Sequence, residues 1–121
     1  MNVSLLKAKI IGFGEATLSI DNDKGFSIVS EFRKRRIVDG VAMPHRNMVL
    51  ISVNFRKGVR GLPGVFKRGS LLYSPLFDSL VVVLRDFDSR EQNYIEVGTV
   101  EEGLEIFDKL KNIVKIRITL L

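Results

Sequence analysis

Ten basic side chains crowd residues 33–68 (Arg33, Lys34, Arg35, Arg36, Arg46, Arg56, Lys57, Arg60, Lys67 and Arg68) against one acid, Asp39, while the rest of the chain carries a net −4. Cations at that density attract phosphates, and Phe55 and Phe66 lie among them, where bases could stack. The stretch Arg56–Gly64 would suit a flexible anion-binding loop. The same charges also describe a solvated helix end and loop that meet the acidic remainder of the molecule. Proximity in sequence does not place them on one face, so both readings stand. Tyr73, Pro75 and Phe77 recur at period two. They could line a concave apolar site or form ordinary barrel packing. His45 beside Arg46 could shuttle a proton or hold an anion; the bland alternative is a surface histidine in a turn, with no partner identifiable in sequence. Asp86, Asp88 and Glu91 could bind a cation, but Asp86-Phe87-Asp88-Ser89-Arg90 lacks the calcium-loop pattern and reads as a solvated loop.

Much chemistry is excluded by composition. There is no cysteine, which removes disulfides, thiolate zinc sites, iron–sulfur clusters and a cysteine nucleophile. With a single histidine, a histidine-built metal site would need carboxylates or a second subunit, and neither a metal nor a cofactor is expected. Gly12-Phe13-Gly14 is a turn and not a dinucleotide fingerprint, since the third glycine and the helix are missing. Gly61-Leu62-Pro63-Gly64 lacks the Gly-Lys-Ser/Thr of a phosphate loop. No Ser–His–Asp arrangement is arguable without a nucleophile elbow.

The elements that would position these residues read as mostly β. Val3 and Leu5 and, after a phase shift, Ile10 and Ile11 mark a first strand ahead of the Gly12–Gly14 turn. Ala16, Leu18 and Ile20 alternate with polar residues in a second strand, and 21–25 is turn chemistry. Ile28, Val29 and Phe32 then switch to helical spacing, with cations in the last turn where the helix dipole favours them. Strands are expected at Ile37–Met43, Met48–Phe55, Leu71–Tyr73, Leu80–Leu84, Tyr94–Thr99 and Ile113–Leu120, with a Gly-rich loop over Arg56–Arg68. A second helix is expected over Val100–Leu110, with Thr99 as N-cap and Glu102 completing a capping box. Eight short strands and two short helices in 121 residues favour one domain, 1–121, built as a closed barrel with a helix over each open end. The first eleven residues alternate polar and apolar positions and do not read as a signal peptide. The longest uncharged apolar stretch, Leu80–Leu84, is far short of a membrane span, so a soluble, cytoplasmic protein without membrane contact is expected. Its many charges and single glutamine would suit a thermophile.

The order strand, Gly turn, strand, helix, five strands, helix, strand resembles the cyclophilin barrel. Gly69-Ser70-Leu71-Leu72-Tyr73-Ser74-Pro75, followed by Asp78-Ser79-Leu80-Val81-Val82-Val83, is similar to a motif of the small archaeal and thermophilic-bacterial cyclophilin-like family of unknown function. Gly98, then Glu102-Gly103-Leu104-Glu105 and the terminal Val114–Ile118, resembles the closing segment of that family. Ser74 stands where that family usually has Trp, and Pro44-His45-Arg46 lacks an expected Trp-Gly pair. The prolyl-isomerase pattern of Phe-x-x-Gln, catalytic Arg and aromatic pocket is not matched: the chain has no Trp, and its one glutamine, Gln92, lies in an acidic loop. Arg36 or Arg46 could stand for the catalytic arginine, yet a shared fold does not confer the activity.

The expectation is a cyclophilin-like eight-stranded barrel acting as a non-catalytic or weakly catalytic binding module, monomeric or homodimeric. A cleft near Phe55, Tyr73, Pro75 and Phe77 would hold a small molecule or an extended peptide, with His45, Arg36, Arg46 and Arg56 contacting anionic groups. Nucleic-acid or polyanion binding through the 33–68 cations is the alternative, and prolyl isomerisation a third reading.

Overall fold

The computed structural model describes residues 2–121. In chain order the elements are β1 (Val3–Ile10), β2 (Gly14–Asp21), α1 (Phe26–Arg35), β3 (Ile37–His45), β4 (Met48–Ser52), β5 (Val65–Phe66), β6 (Ser70–Ser74), β7 (Ser79–Val83), β8 (Phe87–Asp88), β9 (Ile95–Glu102), α2 (Leu104–Asp108) and β10 (Val114–Leu120). Eight strands close into an antiparallel barrel in the order β1-β10-β3-β4-β7-β6-β9-β2, and β5 and β8 form a separate two-stranded flap. Closure pairs every barrel strand on both sides and leaves no sheet edge.

The alternation in β2 and β10 does what a half-buried strand requires. Ala16, Leu18 and Ile20 point inward, as do Ile116 and Ile118. β1 differs from its expected phase. Leu6, Ala8 and Ile10 face the core opposite Leu18, Ala16 and Ile116, so Val3, Leu5 and Ile11 lie on the outer surface and no phase shift occurs.

Helix α1 starts after a turn in which Asp21 Oδ1 accepts the amides of Asp23 (2.8 Å) and Lys24 (3.0 Å). It drives Ile28, Val29 and Phe32 into the end of the barrel next to Asp21 and Ile37. At the opposite end, beside the β1–β2 turn, α2 buries Phe107 and Ile106 touches Gly14. The expected helix from Val100 with a Thr99 cap is corrected by this structure. Leu18 and Thr17 pair with Val100 and Glu102, so the ladder carries β9 three residues past Thr99. Chain reversal falls to Gly103 (φ 86°), where a Cβ would meet Ala16 at 2.8 Å; glycine is the residue that takes this conformation without strain. Thr99 Oγ1 donates to Glu101 Oε1 (3.3 Å) instead of capping a helix.

β4 likewise ends at Ser52 rather than Phe55, because Asn54 and Arg56 adopt positive φ (58° and 54°) and turn the chain away. β3 runs on to His45. The expected Gly-rich loop contains β5, whose partner β8 arises from the acidic loop.

The barrel has two apolar layers. Inside lies the main core, from Leu6 and Ile20 through Val49, Leu71, Tyr73 and Val82 to Ile118. Outside β4, β6 and β7, the residues of opposite phase (Met48, Leu50, Leu72, Val81 and Val83) are buried as well, beneath Phe66, Phe87 and Tyr94 of the flap region. The three rings meet at centroid distances of 5.7–5.9 Å. This second core explains why β4 and β7 are runs of consecutive apolar residues.

Candidate functional site

A concavity of about 710 Å³ lies between three loops: Gly58–Gly61, Ser74–Phe77 and Glu91–Tyr94. Each loop is held from behind. The β6–β7 turn is braced by Ser74 Oγ, which accepts the Phe77 amide (3.2 Å), and by Ser79 Oγ, which donates to the Phe77 carbonyl (3.0 Å). Leu76 and Phe77 project outward from this turn, 78% and 48% exposed. The segment before Gly58 is fixed by Asp78. Its Oδ1 accepts the amides of Phe55 (3.1 Å) and Arg56 (2.9 Å) and the hydroxyl of Tyr73 (2.7 Å). That hydroxyl also accepts the Lys57 amide (3.2 Å). Burial, aided by the Asp78 carboxylate, pushes the Tyr73 phenol up to about 12; it is a fixed donor at physiological pH.

The third wall is tied on by Leu62 and Tyr94, which exchange amide–carbonyl bonds of 3.0 and 3.1 Å. Gly61 sits so close to Tyr94 that a Cβ would come within 2.9 Å of its backbone nitrogen. Tyr94 donates its hydroxyl to Gln92 Oε1 (3.0 Å), and burial raises its phenol pKa. From Gly58 to Gly61 the backbone carries no turn, and none of its N–H or C=O groups has a hydrogen-bond partner among the described residues. The groove thus offers an apolar rim, two unpaired exposed charges of opposite sign (Arg60 and Glu91), and a run of open backbone groups.

The expected site residues separate. Pro75 and Phe77 border the groove. Tyr73 and Phe55 do not: Tyr73 is fully enclosed in the barrel, and Phe55 is buried edge-on against Phe32, with centroids 5.1 Å apart, beneath the Arg35 guanidinium. Arg56 contributes its backbone to the Asp78 cluster, and its side chain donates to Asn54 Oδ1 (3.2 Å). Arg36 ends α1 with φ 66°, and its carbonyl accepts the Leu120 amide. His45 ends β3 and Arg46 opens the β3–β4 turn, both exposed at the barrel end opposite the groove.

The ten cations of 33–68 are also dispersed. Lys34, Arg35 and Lys57 converge on the buried Glu31 at 3.4, 3.3 and 2.9 Å. Chiefly through the Lys57 hydrogen bond, its carboxyl is held below the usual range. Lys67 meets Asp86 (3.5 Å), and Arg68 grips Asp108 through both terminal nitrogens at 2.8 and 2.6 Å. Arg33, Arg36, Arg46, Arg56 and Arg60 have no carboxylate partner among the described residues. No group of three or more metal-ligating side chains occurs among the described residues. No helix among them is long and apolar enough to cross a membrane.

No protein-family model matches the chain, and no curated protein is similar to it in sequence. Its fold is that of an archaeal protein. The solution structure of the hypothetical protein AF2241 from Archaeoglobus fulgidus superposes with a TM-score of 0.77, covering 99% of this chain and 96% of that one at 8% identity. The agreement extends to the whole barrel and identifies architecture alone.

Sequence reasoning took Gly58, Val59 and Gly61 only as part of a candidate anion-binding loop, Arg56–Gly64, and did not single out Leu76, Asn93 or Tyr94; all six border the groove. One signal was available: Leu76 is an apolar residue inside a Ser-Pro-Leu-Phe-Asp turn, where burial in the strand layer is not on offer.

Proposed function

We propose that the chain is a binding module that holds an extended peptide or a small molecule in the groove between Gly58–Gly61, Ser74–Phe77 and Glu91–Tyr94, with little or no catalysis of its own. The supporting observation is the presentation of Leu76 and Phe77: a rigid, hydrogen-bonded turn keeps two large apolar side chains in water at the mouth of a concavity of about 710 Å³. Fully burying such a side chain is worth roughly 1.5–3 kcal/mol, and with Phe77 already about half covered (48% exposed) a ligand over the pair would gain part of that. We place the chain among the cyclophilin-like barrels. The motif Gly69–Pro75 is β6 leading into the groove rim, and Asp78 is the residue that fixes the loop opposite. We do not extend the proposal to prolyl isomerisation, since neither Arg36 nor Arg46 borders the groove. Polyanion binding is the weaker reading, because five of the ten cations already serve internal carboxylates.

Native mass spectrometry after gentle purification at low salt, repeated after a high-salt wash, tests this directly. A discrete adduct that survives both and disappears in Phe77→Ala is the expected result. Heterogeneous oligonucleotide mass released only by salt would transfer the function to the cations, whose binding must weaken steeply with ionic strength.

A further inference from the structure

We propose that the groove recognises an extended peptide by strand addition on the open backbone of Gly58–Gly61, and that the favoured peptide carries an acidic residue next to apolar ones. The inference rests on the groove being the binding site and adds the mode and chemistry of recognition.

Four observations lead to it. The segment directly continues a hydrogen-bonded pair, Leu62 with Tyr94, but from Gly61 back to Gly58 the pairing stops and every backbone group is left without a partner among the described residues. A stretch without turn or bend that adjoins an isolated bridge, its backbone groups unpaired, offers the donors and acceptors that strand-addition domains use. Its position is fixed rather than floppy: the Lys57 amide is bonded to the Tyr73 hydroxyl on one side, Gly61 rests on the Tyr94 backbone on the other, and Val59 packs against the main core between them. Access is clear, because a Cβ at Gly58 would meet nothing within 4 Å and all four residues border the groove.

The character of the peptide follows from the walls. Alternate side chains of an added strand point to one side, and on this groove that side offers Pro75, Leu76 and Phe77, which suit apolar residues. Arg60 lies in this segment without a carboxylate partner among the described residues, and the Arg56 side chain, four residues earlier, donates to the Asn54 amide oxygen. A carboxylate in the peptide would complete Arg60 in a charge-assisted pair. Glu91 on the far wall sets the opposite preference there, so the recognised sequence has polarity along its length.

The test is selection from a library of random synthetic octapeptides displayed against the intact protein, followed by N-methylation of each amide of the best binder. In an antiparallel ladder alternate residues present both N–H and C=O to the partner. Methylating the facing amides should therefore weaken binding about tenfold each, while the intervening ones tolerate it. Amide exchange of alternate residues in Gly58–Gly61 should slow on binding, and Arg60→Gln should remove the preference for an acidic residue. Binders that depend on Phe77 but show no alternation and no protection of 58–61 would overturn strand addition and leave the groove standing. A selection that enriches no Phe77-dependent peptide would overturn peptide recognition, and an adduct in the native mass spectrum would then assign the groove to a small molecule.

Discussion

Replacing Phe66 by alanine should open the flap without unfolding the barrel. Phe66 is buried at the centre of the outer core, ring against ring with Phe87 and Tyr94, and it shares no part of the inner core. Truncating a buried phenylalanine costs about 3–5 kcal/mol. What remains to hold the flap is a two-residue ladder, the Leu62–Tyr94 pair, two bonds of 2.9 Å between Gly64 and Ser89, and Asp86, which accepts the Arg68 amide (2.7 Å) and meets Lys67 (3.5 Å). At about 1 kcal/mol net for each hydrogen bond, these contacts are comparable to the loss, and a two-stranded unit alone is marginal in water. The local opening free energy of Phe66→Ala should therefore fall by about 3–5 kcal/mol. Native-state hydrogen exchange measures it. The amides of Leu62, Gly64, Ser89 and Tyr94 should exchange roughly 100-fold or more faster, by 1.36 kcal/mol per decade, while ladder amides of β1, β2 and β10 keep their protection. Because Tyr94 packs on Phe66 and Gly61 rests on Tyr94, one end of two groove walls leans on this flap, and binding should weaken with it. If all amides accelerate together and thermal unfolding shifts as one transition, the two cores are a single cooperative unit and the reasoning fails.

Three further outcomes follow from the same geometry. In a Tyr94→Phe background, absorbance at 295 nm should show Tyr73 ionising only near pH 12, and a transition in the ordinary tyrosine range would mean that its hydroxyl is solvated rather than bonded to Asp78. Glu31, Asp39, Asp86 and Asp108 are all held below the usual carboxylate range by cations or amides. Their folded forms bind protons less readily than the unfolded chain, so their stabilisation is full above the ordinary carboxylate pKa and is lost as pH falls through the folded values. Urea midpoints should decline from pH 5 downward, and a pH-independent midpoint would contradict these pairings. Gly61→Ala should cost about 1–3 kcal/mol by forcing a Cβ against the Tyr94 backbone, whereas Gly58→Ala should be neutral or stabilise by about 0.4–1 kcal/mol; equal denaturation midpoints for the two would refute the close approach.

What the sequence disclosed depended on how many faces of a residue were buried. β10 wets one face, and the outer face of β2 is polar (Glu15, Thr17, Ser19) although Ser19 is buried, so period two was visible and correctly oriented. β1 carries Leu5 and Leu6 side by side, apolar in both phases, and pattern alone could not say that Leu6 is the inner one. The runs Val49–Ile51 and Leu80–Val83 were legible as strands, but their continuity also signalled cover on the outside, which pointed to a flap that the loop reading of 56–68 did not supply. The α2 boundary was lost because a capping-box pattern at Thr99 and Glu102 competes with a sheet ladder that no local window can see. Local propensity yields to long-range pairing in that contest.

The residues expected to share one cleft separate for one reason. Tyr73, Pro75 and Phe77 share a face only while the strand continues, and β6 ends at Ser74. Tyr73 is thus committed to the inner core, and Pro75 and Phe77, one and three residues past the strand end, are released to the rim. The two halves are still connected. Tyr73 reaches the strand end with its hydroxyl, takes Asp78 and the Lys57 amide, and so joins the turn that displays Phe77 to the segment that leads into Gly58. Lys57 extends the chain of contacts to Glu31 on α1. A residue expected to touch a ligand instead sets the distance between the two walls that would touch it. The same logic sorts the cations: Lys57 and Arg68 are structural because distant carboxylates reach them, whereas Arg60, which none reaches, is left to the groove. Substituting Tyr73 by phenylalanine should therefore loosen binding through the walls rather than through a lost contact, which separates it from Phe77→Ala: the first should quicken exchange of the Lys57 amide even without a ligand, the second should leave it unchanged.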